Sequence, residues 1–374
     1  MKVGLLFPMS NAYPGIGQDF MDGWNSFLKQ QGIHELTVLK EGIAFGGVEK
    51  EVYLKAEKLL ISDDVDVLVA YVDEKVLPVL YPLVMATGKL LLVVNPGANY
   101  PLNWVAQPGV VHLNLQHAFL CHLTGALAAA CGNGKAALAT TYYDCGYLHS
   151  AAMVNHFLEK QGSIRYNYIN KQAYDASFEI NALKDFLSTQ ADCNNLLCVF
   201  DILPASLFYK LLDQYSRPLH FFVSPMMLQE KAIAAIAPTA SYDVTGYLSW
   251  YPGMDTPANE NFLKACSRPV SMFSLLGWET ALVLQAVLQY GDLADGEGAV
   301  THLKETILQS PRGTLQLDPA TQHYLAPAAK YNLSPGASAP QVEWINDLEK
   351  EWHTFTALPT EGAVTGWTNT YLCY

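Results

Sequence analysis

Short, uninterrupted apolar runs alternate with helix-period segments from the first residues onward, and no other feature limits the fold as strongly. VGLLF (3–7) precedes FMDGWNSFLKQQG, in which Phe20, Trp24, Phe27 and Leu28 share one face and Gly32 marks the stop. LTVLKEG (36–42) precedes VEKEVYLKAEKLLIS, VDVLVAY (65–71) precedes VLPVLYPLVMATG, and LLLVVN (90–95) follows. Strands that are apolar at every position need cover on both faces. The pattern therefore calls for an α/β fold with parallel sheets between helical layers.

The pattern then restarts. AALATTYY (136–143) precedes SAAMVNHFLEKQG, NLLCVF (195–200) precedes PASLFYKLLDQY, and HFFVSP (220–225) comes next. Both halves contain a strand with an acid at its carboxyl end, a proline-bearing helix, and a strand ending in a polar residue and proline. Asp73 to Pro96 spans 23 residues and Asp201 to Pro225 spans 24. With 374 residues the chain also exceeds one ordinary core. Two similar, doubly wound α/β lobes are the expectation.

Composition removes several function classes. Acidic residues outnumber basic ones 35 to 22 and no Lys/Arg run exceeds two, so the basic stripe of a nucleic-acid groove is missing. No stretch supplies the ~18 continuous apolar residues of a membrane-spanning helix. The longest apolar stretch, FLCHLTGALAAAC (119–131), is broken by His122 and Thr124 and reads as a buried helix. The seven cysteines are odd in number and sit mostly in apolar runs, which indicates buried thiols rather than a disulfide framework. No leader precedes the first strand at Val3, so the expectation is a trimmed periplasmic protein or a cytoplasmic one.

In open α/β sheets ligands sit beyond the carboxyl ends of strands, at the switch point of the sheet. Two lobes facing each other bring Asp73, Glu74, residues 95–99, residues 142–147, Asp201 and residues 224–227 to one cleft, together with the opening loop 8–17. That loop, PMSNAYPGIG, has the layout of a phosphate loop. Its GIGQDF places Phe20 where a dinucleotide fingerprint needs its third glycine, and GNGK (132–135) is too short for a P-loop. HAFLCH (117–122) sets His117 and Cys121 one helical turn apart without a second ligand pair, so no metal is assigned, and no cofactor either. There is no G-x-S-x-G elbow, and an enzyme is not expected. Aromatic residues near strand ends (Tyr13, Tyr71, Tyr147, Trp250 and Tyr251) suit the wall of a small-molecule pocket.

Taken with FPMSNAYPGIGQDFMDG, VNPGANYP (94–101), YYDCGY (142–147), DTPANENF (255–262) and SPRGTLQLDPATQHYLAP (310–327), the chain resembles the type I solute-binding proteins of the leucine/isoleucine/valine-binding family, the two-lobed receptors that feed ABC importers. The resemblance implies three crossovers near 116–120, 247–252 and 325–331, with 1–118 plus 250–327 in the N-terminal lobe and 119–249 plus 328–374 in the C-terminal lobe. It also implies capture of an amino-acid-, amide- or amine-like solute by cleft closure, an ABC permease as partner, and no chemistry. DTPANENFLKAC and the extended C-terminus look closest to the branch of amide and urea receptors, which includes a cytoplasmic amide sensor controlling an operon. That sensing role is the alternative.

Ligand-contact candidates are Ser10, Tyr13, Asp73, Glu74, Gly97, Ala98, Asn99, Tyr147, Asp201, Met226 and Trp250. Tyr147 matches the family contact. By contrast, Asp73 and Glu74 stand where α-amino-acid binders carry a small hydroxyl residue, Asn99 replaces a threonine, and Met226 aligns with the acid that pairs the ligand's ammonium. Two like charges about 4 Å apart repel by ~4 kcal/mol at an effective dielectric near 20, so acids at this strand end disfavour a ligand carboxylate. A neutral or cationic solute is therefore expected over a zwitterionic amino acid.

Overall fold

The computed structural model describes residues 1–11, 13–44, 46–98, 105–141, 147–170, 177–213, 215, 217–337 and 339–358, and Tyr147 in its backbone only. The chain first builds β1 (Lys2–Phe7), α1 (Ile16–Gln31), β2 (Thr37–Gly42), α2 (Glu49–Glu57), β3 (Val67–Tyr71), α3 (Tyr81–Thr87), β4 (Leu90–Asn95) and β5 (Val110–Asn114). These strands form a parallel sheet in the order β2-β1-β3-β4-β5.

The inner strand β3 is apolar throughout because its two faces meet different helices. Val67, Val69 and Tyr71 point into one core cluster with α1, whereas Leu68 and Ala70 point into another with α2 and α3. Pro78 divides the helical pattern that follows β3: residues Glu74–Val79 form a 3₁₀ segment and α3 starts only at Tyr81. A proline lacks the N–H that a continuous helix would need there.

The second lobe repeats the plan. It comprises α4 (His117–Ala129), β6 (Lys135–Thr141), α5 (Tyr147–Glu159), β7 (Ser163–Asn170), α6 (Asn181–Thr189), β8 (Asn195–Val199), α7 (Ile202–Leu212), β9 (Leu219–Val223), α8 (Glu230–Ile233) and β10 (Tyr242–Leu248). Its parallel strands run β7-β6-β8-β9-β10, the same reversal as in the first sheet. The chain then returns with α9 (Pro257–Ala265), α10 (Met272–Tyr290), α11 (Gly296–Glu305), β11 (Leu308–Ser310), β12 (Gly313–Leu317) and β13 (Tyr324–Leu325). It crosses once more to β14 (Ala328–Leu333), β15 (Gln341–Ile345) and α12 (Glu349–Thr356). β14 and β15 extend the second sheet antiparallel to β10, an edge that alternation alone did not predict.

The chain thus passes between sheets at 114–117, 248–257 and 325–328. α12 lies over these passages. Trp352 packs edge-on against Phe119 of α4 at 5.4 Å, and its indole N–H donates to Thr321 at 3.0 Å. His353 Nε2 lies 2.8 Å from Asp318 Oδ1. Among the described residues only α10 is long and apolar enough to cross a membrane, and 78% of its apolar window is buried inside the protein. It is the core helix of the first lobe. No disulfide joins the described cysteines.

α1 and α10 approach so closely that two glycines are obligatory. A Cβ built on Gly23 would fall 1.8 Å from the Ser274 carbonyl oxygen, and one on Gly277 would fall 1.9 Å from that of Phe20. Backbone atoms on the facing helix cannot rotate away, so Gly277→Ala must push the helices apart. The expected loss is about 3 kcal/mol, read as a lower urea midpoint. Gly42→Ala, which meets nothing within 4 Å, serves as the near-neutral control; equal midpoints for the two variants would contradict this packing.

Candidate functional site

The carboxyl ends of β1, β3 and β4 in one lobe and of β6, β8 and β9 in the other carry the cleft rims. On the first rim, Ser10 is buried and its hydroxyl accepts the Tyr13 backbone N–H at 3.1 Å, folding the opening loop back on itself. The Tyr13 ring then packs edge-on against Phe273 of α10 at 5.2 Å. So held, the Tyr13 hydroxyl donates to the Asp201 carboxylate of the other lobe. Asp201 also caps α7, accepting the Ile202 N–H at 2.9 Å. The structure therefore brings Ser10, Tyr13 and Asp201 together across the cleft.

The loop after β4 is spoken for by its own lobe and by the first passage. Asn95 accepts the Gly97 N–H at 2.7 Å and donates to the Val72 carbonyl at 3.0 Å. The Pro96 and Gly97 carbonyls accept the His117 and Ala118 N–H groups at 3.2 and 2.8 Å, tying the start of α4 to this rim. Gly97 has φ 78°, a left-handed conformation suited to glycine. Ala98 is buried beside it.

Four expected contacts have a different environment. Glu74 does not present its carboxyl to the cleft: Oε1 lies 3.2 Å from His112 Nδ1 and accepts from Asn95 at 3.3 Å, and burial pushes its pKa up to about 7. The long 3₁₀ segment after β3, imposed by Pro78, turns it inward. Asp73 is likewise buried and caps that segment through the Lys75 N–H at 3.0 Å. Two ionised acids facing a ligand are therefore not what this rim offers, and the charge argument against carboxylate solutes lapses.

Met226 is 0% exposed and belongs to the core, so it offers a ligand no surface. Trp250 is buried too, with its N–H donated to Asn259 at 2.8 Å and its ring 5.8 Å from Phe262. Tyr71 is packed between Phe7 and Phe20 inside the first lobe. Asn99, residues 142–146 and the Tyr147 side chain lie outside the described residues. His117 and Cys121 are buried; the His117 ring faces His149, and burial drives the Cys121 thiol well above its usual range.

Sequence reasoning missed the group beneath the cleft. Arg312 and Glu279 are both fully buried and joined by two hydrogen bonds, Nε to Oε1 at 2.7 Å and a terminal nitrogen to Oε2 at 3.0 Å. The same guanidinium donates to the Asn114 carbonyl at 3.0 Å, where the first passage begins. Ser310 adds its hydroxyl to Glu279. Glu279 is the lone acid in the nineteen residues of α10, and that isolation in an apolar helix was the available signal.

Two outcomes follow. Tyr13→Phe removes a hydrogen bond to a charged acceptor worth about 1.5–3 kcal/mol, so small-angle scattering should show a larger radius of gyration for the unliganded variant; an unchanged radius would mean that the contact does not hold the rims. Trp250→Ala should lower the melting temperature, with a loss of about 3–5 kcal/mol in denaturant unfolding; a stable variant would return this residue to the cleft wall.

The sequence profile of the family described as Periplasmic binding protein matches residues 1–336. No curated protein matches the chain significantly. Among solved structures, the chain is similar to an ABC transporter solute-binding protein from R. palustris in complex with benzoate, at 20% identity and TM-score 0.71, covering 92% of this chain and 97% of that one. It is also similar to an ABC transporter substrate-binding protein from Sphaerobacter thermophilus, at 17% identity and TM-score 0.73, covering 93% and 98%. A branched-chain amino acid transporter substrate-binding protein from Streptococcus pneumoniae in complex with isoleucine gives 14% identity and TM-score 0.66, covering 92% and 99%. At these identities the likeness concerns the fold.

Proposed function

The chain belongs to the periplasmic binding protein family, and from that premise we propose that it captures a small polar solute between its lobes and delivers it to an ABC permease, without transforming it. In this reading residues 1–118 with 250–327 form one jaw and 119–249 with 328–374 the other, and the protein works in the periplasm. The observation that carries the reading is the contact of Tyr13 with Asp201, which joins the two rims through side chains at strand ends. A solute that replaces or extends this contact touches both lobes at once, and only such differential affinity can favour closure.

The polar groups carried by the described rim residues narrow the ligand class. Among the described residues, Glu74 is turned inward and Met226 is core, while the buried Ser10 hydroxyl, the half-buried Tyr13 and the buried Asp201 carboxylate meet where the rims touch. This set suits a compact solute with hydrogen-bonding groups, including carboxylate solutes of the kinds bound by similar proteins, benzoate and isoleucine. A calorimetric and thermal-shift screen of branched-chain amino acids, hydroxybenzoates, short amides and amines tests it. One class should raise the melting temperature, and Asp201→Asn or Tyr13→Phe should weaken that solute by about tenfold or more, the equivalent of one charged hydrogen bond. Binding that ignores both substitutions would place the ligand elsewhere and sink the proposal.

A further inference from the structure

Behind the first rim, three metal-ligating side chains from distant parts of the chain meet without a role in solute capture. Glu74 follows β3, His112 lies within β5, and His323 immediately precedes β13. Their ligand atoms all fall within 4.8 Å of one another. The residues are 5%, 1% and 1% exposed respectively. We propose that Glu74, His112 and His323 form a buried binding site for one zinc-type divalent cation, which would fasten β5 to the segment leading into the third passage.

The geometry supports a cation in several ways. Glu74 Oε1 and His112 Nδ1 are 3.2 Å apart, close to the edge of about 3.3 Å that a tetrahedron with ~2.0–2.1 Å metal–ligand bonds requires. The second carboxylate oxygen of Glu74, Oε2, is buried without a hydrogen-bond partner, a state that ordinarily costs free energy. His323 Nδ1 lies 2.9 Å from the Thr321 carbonyl, so that nitrogen carries the proton and Nε2 keeps the lone pair. Asn95 holds Glu74 Oε1 by a hydrogen bond at 3.3 Å. Such outer contacts fix the tautomer and orientation of ligands in zinc sites.

Glu74 brings one carboxylate against the charge of a divalent ion, which would otherwise be costly to bury. The imidazole rings of His112 and His323 stack at 4.2 Å with 14° between their planes. Binding requires His323 to tilt out of this stack and close the remaining gap to the ion. Among the described residues the candidate competitor is the trio of buried Asp318, exposed Glu349 and half-buried His353, which offers only one imidazole.

Because the site is closed to solvent, loading is tested through folding. The full chain is unfolded with a chelator and refolded with one equivalent of Co²⁺ or Zn²⁺. The expected result is one ion retained per chain after gel filtration, tetrahedral d–d bands with Co²⁺, and a higher melting temperature. His112→Ala and His323→Ala should each weaken retention at least tenfold, whereas His353→Ala should not. X-ray absorption on the Zn²⁺-loaded wild type needs no variant to fold: two imidazoles on the ion are expected. No retained ion, a single imidazole, or loss of the ion only in His353→Ala would overturn the proposal.

Discussion

The fully buried pair of Glu279 and Arg312 is the interaction on which the two-lobed arrangement depends. It links three things that no apolar contact could hold in fixed register: the core helix α10, the turn between β11 and β12, and the Asn114 carbonyl where the chain leaves the first sheet. Desolvating two charges is expensive, and a well-packed apolar pair of the same volume would often be at least as stable. What an apolar pair lacks is direction. The forked guanidinium addresses one carboxylate and one carbonyl at set angles, and the first passage takes its course from there through Gln116, a left-handed residue with φ 58°.

Most of the architecture was legible because it rests on local apolar periodicity. Continuous runs such as VDVLVAY and NLLCVF became central parallel strands, and the repeated spacing from acid to proline became two sheets with the same strand order. The antiparallel pair β14–β15 was not legible, since a half-exposed strand such as QVEWI carries a weak pattern and draws its register from a distant partner. The site was less legible than the fold. Placing Asp73 and Glu74 at the end of β3 was enough to locate them, but not to say which way they face. Pro78 and the capping hydrogen bond of Asp73 decide that, and Asn95 and His112 then receive Glu74. Trp250 stands at a passage between lobes, yet its partner Asn259 appears only when α9 folds back beside it.

The rims and the base of the cleft divide the work. The rim side chains are few and are held by short-range capping: Ser10 under Tyr13, Asp201 over α7. The base is dense with polar groups committed to one another, including the Arg312–Glu279 pair and the Asn114 carbonyl. A receptor of this plan can change what it recognises by altering the rims while the base keeps the lobes in place.

The position of α12 restricts how the lobes can move. Trp352 is anchored on one side by the ring of Phe119 and on the other by the hydroxyl of Thr321. Sliding one lobe past the other would shear the indole from one of these anchors. A bend about a line through Trp352 leaves both intact, because atoms on a rotation axis do not travel. The helix thus opposes translation between the lobes and leaves rotation about itself, so the pair is built to open like tweezers rather than to slide apart.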